Sequence, residues 1–460
     1  MSAVTAPRLV AEDVGAAMHA LIADLYPICR SITGDGFRET LRRLQQLIPL
    51  ATREVPSGTR VLDWVVPNEW NIRDAYVKNA HGERVIDFRR SNLHVLNYSV
   101  PVHRTVSLQE LKAHCFSLPD HPDWIPYRTS YYKETWGFCL THRQLQALPD
   151  GDYEVHIDAT LAPGHLSYGE LLVPGEWTDE ILVSCHACHP SLCNDNLSGV
   201  AVATYLARHL RSQRTRYSYR FLFIPGTIGS ITWLAQNESV VPRIRHGLVL
   251  ASVGDAGSIH YKRSRRGDAL IDRAAAHVLR HAAAAATVMD FSPYGYDERQ
   301  YCSPGYDLAV GCLSRTPYAR YPEYHTSADN LDFVRPDALA DSYATCLALF
   351  DVLEGNATYV NVQPKGEPQL GRRGLYQAIG GQSDPRQSEM ALLWLLNLSD
   401  GCHSLLDIAD RADLPFSQIR HSANALLAHG LLLPTDTTTT QPTRARPERA
   451  AGRHRRKGDS

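Results

Sequence analysis

The chain lacks both a long hydrophobic run and an excess of charge of one sign. It has 460 residues, a formal net charge of −2, and 21% charged residues. A chain built chiefly to hold nucleic acid or an anionic membrane carries a large basic excess, and a membrane-spanning helix needs about 20 consecutive apolar residues. The near-neutral balance and the missing run therefore argue against both classes of protein.

The sequence also lacks a secretion signal and a disulfide framework. Residues 1–27 show no charged start followed by an apolar core and a small-residue cleavage site. The ten cysteines, several of them beside histidines, do not form the compact spacing of a small secreted scaffold. We therefore expect a protein of a reducing compartment, the cytoplasm.

A dense cluster of metal-ligand residue types lies at residues 184–199, in the segment SCHACHPSLCNDNLSG. An apolar run at residues 180–183 precedes it and a helix-like stretch at residues 200–207 follows it. In open α/β sheets the ligand crevice lies beyond the carboxyl ends of the strands. The order of strand, loop and helix therefore places the cluster at the edge of the sheet where active sites usually lie.

Three interpretations of this loop compete. A structural zinc site could use Cys185, Cys188 and a histidine, but such sites normally need a second pair at similar spacing, and we find none. A buried turn with satisfied histidines and small apolar cysteines is the second interpretation. We favour the third, a catalytic zinc whose imidazole and carboxylate ligands come from distant loops and leave one position open.

A second stretch supports the catalytic zinc. Residues 321–332 read YPEYHTSADNLD, in which His325 sits in a polar loop before a probable helix. Together with the NDNLSG of residues 194–199, this stretch resembles the zinc aminopeptidases, whose relatives include the glutaminyl cyclases. The resemblance extends to residues 219–230 and to Asp297 followed by Gly305, and it covers roughly residues 165–355.

The chain is also similar to a bacterial subgroup of aminopeptidase-like proteins with an inserted small domain and a C-terminal winged helix. The shared phrases are CHPSxxNDNLSG, KRSRRG, DERQYCSPG and PEYHTSADNLD, which begin here at Cys188, Lys262, Asp297 and Pro322. This resemblance implies an α/β fold with a mixed, mainly parallel sheet sandwiched by helices. The expected parts are a peptidase-like domain at 13–54 and 160–358, a mostly-β insert at 55–159, a winged helix at 370–434 and a tail at 435–460.

Local patterns agree with this division. After residue 200, strand-like and helix-like segments alternate, which is typical of helices packed on a mainly parallel sheet. Residues 55–159 instead contain short β-type runs broken by Pro, Gly and Asn, and they are dense in Trp and Tyr that could wall the site. The tail is rich in Arg and poor in apolar residues, so we expect it to be disordered.

The resemblance implies a zinc site, and we expect one zinc ion per chain. It indicates His189, Asp195 and His325 as the metal ligands. The subgroup phrase centres on His189, whereas His186 matches the ligand position of the wider family, so the two alignments disagree. We favour His189 as the ligand and expect His186 to be a pocket residue that contacts substrate.

The wider family has a pair of glutamates after the next strand, a general base and a zinc ligand. Gly226 and Thr227 stand at those positions here. Positioned acid–base groups supply about 10²- to 10⁴-fold in rate, so a substitute is needed. The sequence offers Asp297, Glu298 and Glu323 as catalytic candidates, although Asp297 could equally be a turn residue that caps the next helix.

We expect further substrate contacts from Arg265, Arg299 and Tyr324. Arg265 belongs to the basic turn at residues 262–267, which could seat a carboxylate or phosphate through charge-assisted hydrogen bonds or could be a solvated loop.

The sequence thus predicts a zinc-dependent enzyme acting on an amide or peptide bond of a small substrate, by hydrolysis or acyl transfer, in a biosynthetic pathway. The alternative is a non-catalytic peptide- or metabolite-binding protein that keeps the fold. The recognition helix expected in the winged helix offers only Arg420, His421 and His429 as basic groups. We therefore expect no specific nucleic-acid partner and a role in homo-oligomer assembly.

Overall fold

The structure is a computed structural model that describes residues 8–375 and 385–435. The chain divides into two compact units, with the boundary between Gly355 and Asn356. Residues 436–460, where the sequence predicts a disordered tail, lie outside the described part. Among the described residues, no helix combines the length and apolar character needed to cross a bilayer.

The helices and strands of the first unit follow in chain order. The helices are α1 (Arg8–Leu25), α2 (Asp35–Gln45), α3 (Leu108–Ala113), α4 (His142–Gln146), α5 (Gly199–Leu210), α6 (Ile228–Gln236), α7 (Leu270–Arg280), α8 (Glu298–Tyr301) and α9 (Pro336–Gly355). The strands are β1 (Ala51–Pro56), β2 (Arg60–Val61), β3 (Trp64–Val65), β4 (Glu69–Lys78), β5 (Arg84–Asp87), β6 (Val102–Ser107), β7 (Cys115–Phe116), β8 (Phe138–Cys139), β9 (Asp152–Ala162), β10 (His165–Val173), β11 (Glu180–His186), β12 (Ser218–Ile224), β13 (Ile244–Leu250), β14 (Ile259–Lys262), β15 (Ala286–Met289) and β16 (Val310–Ser314).

A mixed sheet flanked by helices forms the centre of this unit. Its strand order is β1-β10-β12-β11-β13-β16-β14-β15, and β12, β11, β13 and β16 run parallel to one another. Every residue of β11 and β12 is buried, which explains why both strands read as continuous, largely apolar runs. The predicted fold class, a mixed and mainly parallel sheet with flanking helices, is confirmed.

The parallel strands end at one edge of the sheet, and their following loops meet there. β11 ends at His186, β12 ends two residues before Gly226, and β16 ends before the loop that carries His325. Residues separated by more than a hundred positions are brought together in this way.

The insert is built around an antiparallel sheet in the order β5-β4-β9-β6. Its edges differ slightly from the expected range of 55–159. Val55 and Pro56 still belong to β1, which pairs with β10 of the central sheet. At the other end, β9 continues to Ala162.

The second unit contains β17 (Thr358–Asn361), α10 (Pro385–Leu398), β18 (Asp400–Ser404), α11 (Leu405–Ala412), α12 (Phe416–Ala428) and β19 (Leu432–Pro434). The unit begins before the expected start at residue 370, because β17 is the middle strand of a sheet in the order β18-β17-β19. The stretch rich in Pro and Gly at 364–368 lies after this strand.

Candidate metal centre

Three imidazoles and one carboxylate converge beyond the carboxyl end of β11. The Nε2 atom of His186 lies 2.8 Å from Oδ1 of Asp195, and the Nε2 atom of His325 lies 3.0 Å from Oδ2 of the same carboxylate. The Nε2 atom of His189 lies 3.9 Å from Oδ2. His186, His189 and Asp195 each offer a ligand atom within 4.8 Å of the others. This is the donor set that zinc prefers.

The loop that carries Asp195 is held by buried hydrogen bonds. Both oxygens of the Asp329 carboxylate accept backbone N–H groups, from Asn194 at 2.6 Å and from Asp195 at 2.9 Å. The amide of Asn196 donates to the carbonyls of His186 and Leu250. Burial raises the pKa of Asp329 to about 8. These contacts keep the Asp195 carboxylate directed at the imidazoles.

A buried arginine holds the other side of the cluster. The Arg30 guanidinium donates to the carbonyl of His189 at 3.0 Å and to that of Leu25 at 2.6 Å. Burial lowers its pKa to about 10. Sequence reasoning missed this residue, and its only signal was the polar turn between two amphipathic helices.

Tyrosines stack against the imidazoles. The ring of Tyr296 lies 5.1 Å from that of His186, and the ring of Tyr324 lies 4.0 Å from that of His325. Tyr127, from the insert, packs within about 5 Å of the rings of His189 and His325. The expectation that aromatic residues of the insert wall the site therefore holds for Tyr127.

The buried charges suit a metal. Burial alone would raise the pKa of Asp195, but the imidazoles of His189 and His186 hold it well below its usual range. Burial lowers the pKa of His189 well below its ordinary value. An ionised carboxylate and a neutral imidazole are the states that bind a metal ion.

Two cavities meet at the cluster. The outer cavity, of about 570 Å³, is lined by residues that include Leu118, His121 and Arg128 of the insert. The inner cavity, of about 200 Å³, is lined by Tyr131, His186, Cys188, His189, Gly226, Thr227, Tyr294, Gly295, Tyr296, Asp297, Tyr318 and Tyr324. Tyr131, His189 and Tyr324 border both cavities.

Of the three expected catalytic carboxylates, the structure brings only Asp297 to the inner cavity. Its Oδ1 atom accepts hydrogen bonds from the Thr227 amide at 2.7 Å and the Ser230 hydroxyl at 2.8 Å. Its Oδ2 atom is buried and has no hydrogen-bond partner. The side chain makes no capping hydrogen bond to α8. It binds instead to the first turn of α6.

The other two carboxylates line neither cavity. Glu298 is buried, pairs with Lys262 and accepts the amide of Tyr296, so its charge is already compensated. Glu323 lies beside Tyr324 in the chain but lines neither cavity. Neither Glu298 nor Glu323, both expected as catalytic candidates, is therefore among the residues that line a cavity.

The expected substrate-binding residues divide in the same way. His186 and Tyr324 line the inner cavity, and His186 also belongs to the group that could hold a metal ion. Arg265 instead pairs with Asp307 at 2.7 Å and lines neither cavity. Arg299 lies outside both cavity linings and reaches Thr227 Oγ1 at 3.5 Å. The basic turn therefore neutralises the charge of an acidic residue of the chain, and it does not form an open binding site for an anionic substrate.

The cysteines of the loop do not form a zinc site of their own. The Cys185 thiol points at the Leu222 carbonyl, whereas the Cys188 Sγ atom accepts the Gly226 amide at 3.2 Å. Within the described part of the chain, the metal-capable group contains no cysteine. The interpretation as a structural Cys site is therefore wrong.

Gly226 leaves space at the cluster. A Cβ atom there would lie 3.5 Å from Cβ of His186 and 3.6 Å from Sγ of Cys188, which are ordinary van der Waals contacts. Its φ angle does not lie in the left-handed region. Neither packing nor backbone conformation requires glycine here.

Comparisons with known proteins agree with this architecture. Residues 19–356 match the family described as "Domain of unknown function (DUF4910)", and residues 357–434 match a winged helix-turn-helix family. A protein of Clostridium acetobutylicum named "Putative polysaccharide biosynthesis protein with aminopeptidase-like domain" is 53% identical over 92% of this chain and 97% of its own length.

Solved structures show the same fold. A crystal structure described as a "putative peptidase" from Clostridium acetobutylicum has a TM-score of 0.89 and 51% identity, covering 93% of this chain and 98% of that one. A zinc aminopeptidase from Bacillus subtilis has a TM-score of 0.55 at 12% identity and covers 75% of this chain and 95% of that one, a likeness of fold alone. The chain therefore belongs to the DUF4910 family, and it is an aminopeptidase-like protein with a C-terminal winged helix-turn-helix domain.

Proposed function

We propose that this protein is a zinc-dependent enzyme that acts on an amide or peptide bond of a small substrate, by hydrolysis or by acyl transfer. The observation that carries the proposal is the convergence of three imidazoles and the Asp195 carboxylate at the junction of two cavities. The name of the Clostridium relative supports a substrate drawn from a polysaccharide biosynthetic pathway.

In this proposal His186, His189, Asp195 and His325 are the residues that would hold the metal. The first three form the compact group, and His325 Nε2 contacts the same carboxylate from the opposite loop. A bound zinc ion supplies Lewis acidity for a carbonyl oxygen and lowers the pKa of bound water to about 7.

The chain's own residues orient the substrate. The outer cavity takes the larger part of the substrate, and Tyr131 and Tyr324 border the passage to the inner cavity. The reacting bond then lies beside His189, which both cavities share. Asp297 supplies the carboxylate that lines the inner cavity.

Metal analysis is the first test. Protein purified without chelator should contain close to one zinc ion per chain. It should release amine from a panel of aminoacyl p-nitroanilides and N-acetylated amino sugars. Removing zinc with 1,10-phenanthroline should abolish that activity, and zinc should restore it. A zinc content far below one per chain would overturn the proposal.

Gly226 supports a second candidate, a non-catalytic binding protein. The position beside His186 that could carry a carboxylate has no side chain, although the surroundings would accept one. If zinc is bound but no substrate in the panel turns over, while one of them binds with a measurable Kd, this second candidate replaces the first.

A further inference from the structure

The inner cavity has the chemical character of a cation site. Asp297 has a relative exposure of 1% and leaves Oδ2 without a hydrogen-bond partner. Among the described residues, no lysine, arginine or histidine nitrogen is paired with it, whereas the neighbouring Glu298 is paired with Lys262. A buried carboxylate without a cationic partner is costly, so a cationic ligand at Oδ2 would relieve that cost.

Aromatic rings supply much of the remaining cavity wall. Five tyrosines line this cavity. Tyr318 lies at the centre of the group, and the distances from its ring centroid to those of Tyr296, Tyr294 and Tyr324 are 5.3, 5.5 and 6.4 Å. The faces of aromatic rings attract organic cations. The carboxylate and the rings therefore favour the same kind of ligand.

Gly226 leaves room for this ligand next to the metal-binding group. The space that a side chain would fill lies beside His186 and is part of the inner cavity. At about 200 Å³ the cavity suits a small ligand.

We propose that the inner cavity is the acceptor subsite of an acyl transfer and binds a small protonated primary amine through Asp297 and the tyrosine faces. This role rests on the proposed function, whereas the binding itself does not require catalysis. The ammonium group gives one proton to Asp297 Oδ2 and becomes a neutral amine. Its nitrogen lone pair then forms a bond to the acyl carbon. The bond from that carbon to the leaving group breaks, and the leaving group departs with the bonding electron pair. It takes the second proton from the nitrogen, so that a neutral amide remains.

Binding of matched probes tests the subsite. Ligand-observed NMR titrations would compare n-butylamine with n-butanol, and glucosamine with glucose, each with and without zinc. We expect both amines to bind at least about tenfold more tightly than their neutral counterparts. Equal binding of amines and neutral probes would overturn the subsite. A preference that persists without zinc supports the subsite even if the zinc-enzyme proposal fails.

Variants assign the preference to its residues. Asp297→Asn should abolish the preference, while the matched exposed control Asp307→Asn should keep it. Because Asp297 also binds the first turn of α6, its variant could unfold. A second pair of variants, at Tyr318, therefore tests the same subsite independently. Tyr318→Leu should weaken amine binding by about fivefold and Tyr318→Phe should not, because only leucine removes the ring face. If folded Asp297→Asn still prefers amines over neutral probes, the assignment to Asp297 is wrong. If the two Tyr318 variants weaken amine binding equally, the assignment to the ring face is wrong.

The reaction gives an independent readout. With p-nitrophenyl acetate as acyl donor and n-butylamine as acceptor, the native protein should form N-butylacetamide, and Asp297→Asn should release chiefly acetate. An unchanged ratio of amide to acetate in the variant would overturn the role of Asp297 as proton acceptor.

Discussion

The Nε2 atom of His186 lies 2.8 Å from Oδ1 of Asp195. This contact connects the last residue of β11 to the loop whose backbone is hydrogen-bonded to Asp329. Because both oxygens of Asp195 face imidazoles, from His186 and His325, the carboxylate is the centre of the cluster. His186 therefore belongs with the metal-binding residues in our proposal, beside His189.

Zinc affinity should depend on the clustered histidines. His186→Ala, His189→Ala and His325→Ala should each weaken zinc binding by at least about tenfold, since each removes one ligand from the set. His121→Ala is the matched control, because His121 lines the outer cavity but lies outside the cluster. Competition with a chromogenic chelator measures the affinity. Full zinc retention in His186→Ala would return that residue to a role in substrate contact.

Gly226→Glu should convert the proposed transferase into a better hydrolase. The new side chain fits, because a Cβ atom at this position makes only ordinary contacts, and it brings a carboxylate beside His186. We expect hydrolysis of aminoacyl p-nitroanilides to rise by about 10²-fold or more. Gly226→Ala controls for bulk alone. If the glutamate and alanine variants hydrolyse these substrates equally, the missing carboxylate does not limit hydrolysis.

Arg220→Met should strongly destabilise the central sheet. Arg220 lies between two buried carboxylates, donating to Glu180 at 2.6 Å and to Glu170 at 2.5 Å. Removing the cation leaves Glu180 without its charge partner and Glu170 with only the more exposed Arg53 beside it, so we expect the free energy of unfolding to fall by about 3–5 kcal/mol.

Arg53→Met is the control for Arg220, since Arg53 reaches Glu170 at 3.4 Å from a side chain that is 59% exposed. An exposed pair of this kind contributes about 1 kcal/mol or less. Urea unfolding of both variants measures the difference. Equal losses would show that the buried network does not stabilise the sheet as argued.

Removal of the second unit should change assembly. The sheet of this unit exposes Val360, Val362 and Leu433, and Val360 is directly opposite Leu433 in the β17–β19 pair. Apolar residues grouped on one exposed face favour contact with another surface. Truncation after Gly355 should therefore lower the mass measured by light scattering to that of one chain, or reduce solubility.

The same unit should not read DNA. Arg420 and His421 are the basic residues within α12, and specific recognition needs several cations that reach phosphates and base edges. In about 150 mM salt, residues 356–435 should show no preference among duplex sequences. Sequence-dependent binding, together with unchanged mass and solubility after truncation, would contradict the assembly role.

Sequence alone indicated the main features of the site. The alternation of apolar strands and helices predicted the sheet, and the resemblance carried by the NDNLSG and YHT stretches implied that Asp195 and His325 come together. The first prediction succeeds because the type of each element and the position of the loops follow from local patterns and from the parallel edge of the sheet.

Tertiary structure decided which side chains meet. His186 and His189 are three residues apart, and only the end point of β11 and the path of the following loop bring both imidazoles to Asp195. Asp297 and Glu298 are adjacent, yet Asp297 lines the inner cavity and Glu298 pairs with Lys262.

The same is true of hydrogen bonds between distant segments. β17 has only four residues, and it forms a strand because β18 and β19 supply backbone partners. Arg30 supports His189 from 159 residues away. The sequence determined the sheet and the chemical types at its edge, whereas charge pairing and strand pairing depend on residues far apart in the chain, which only the folded structure brings into contact.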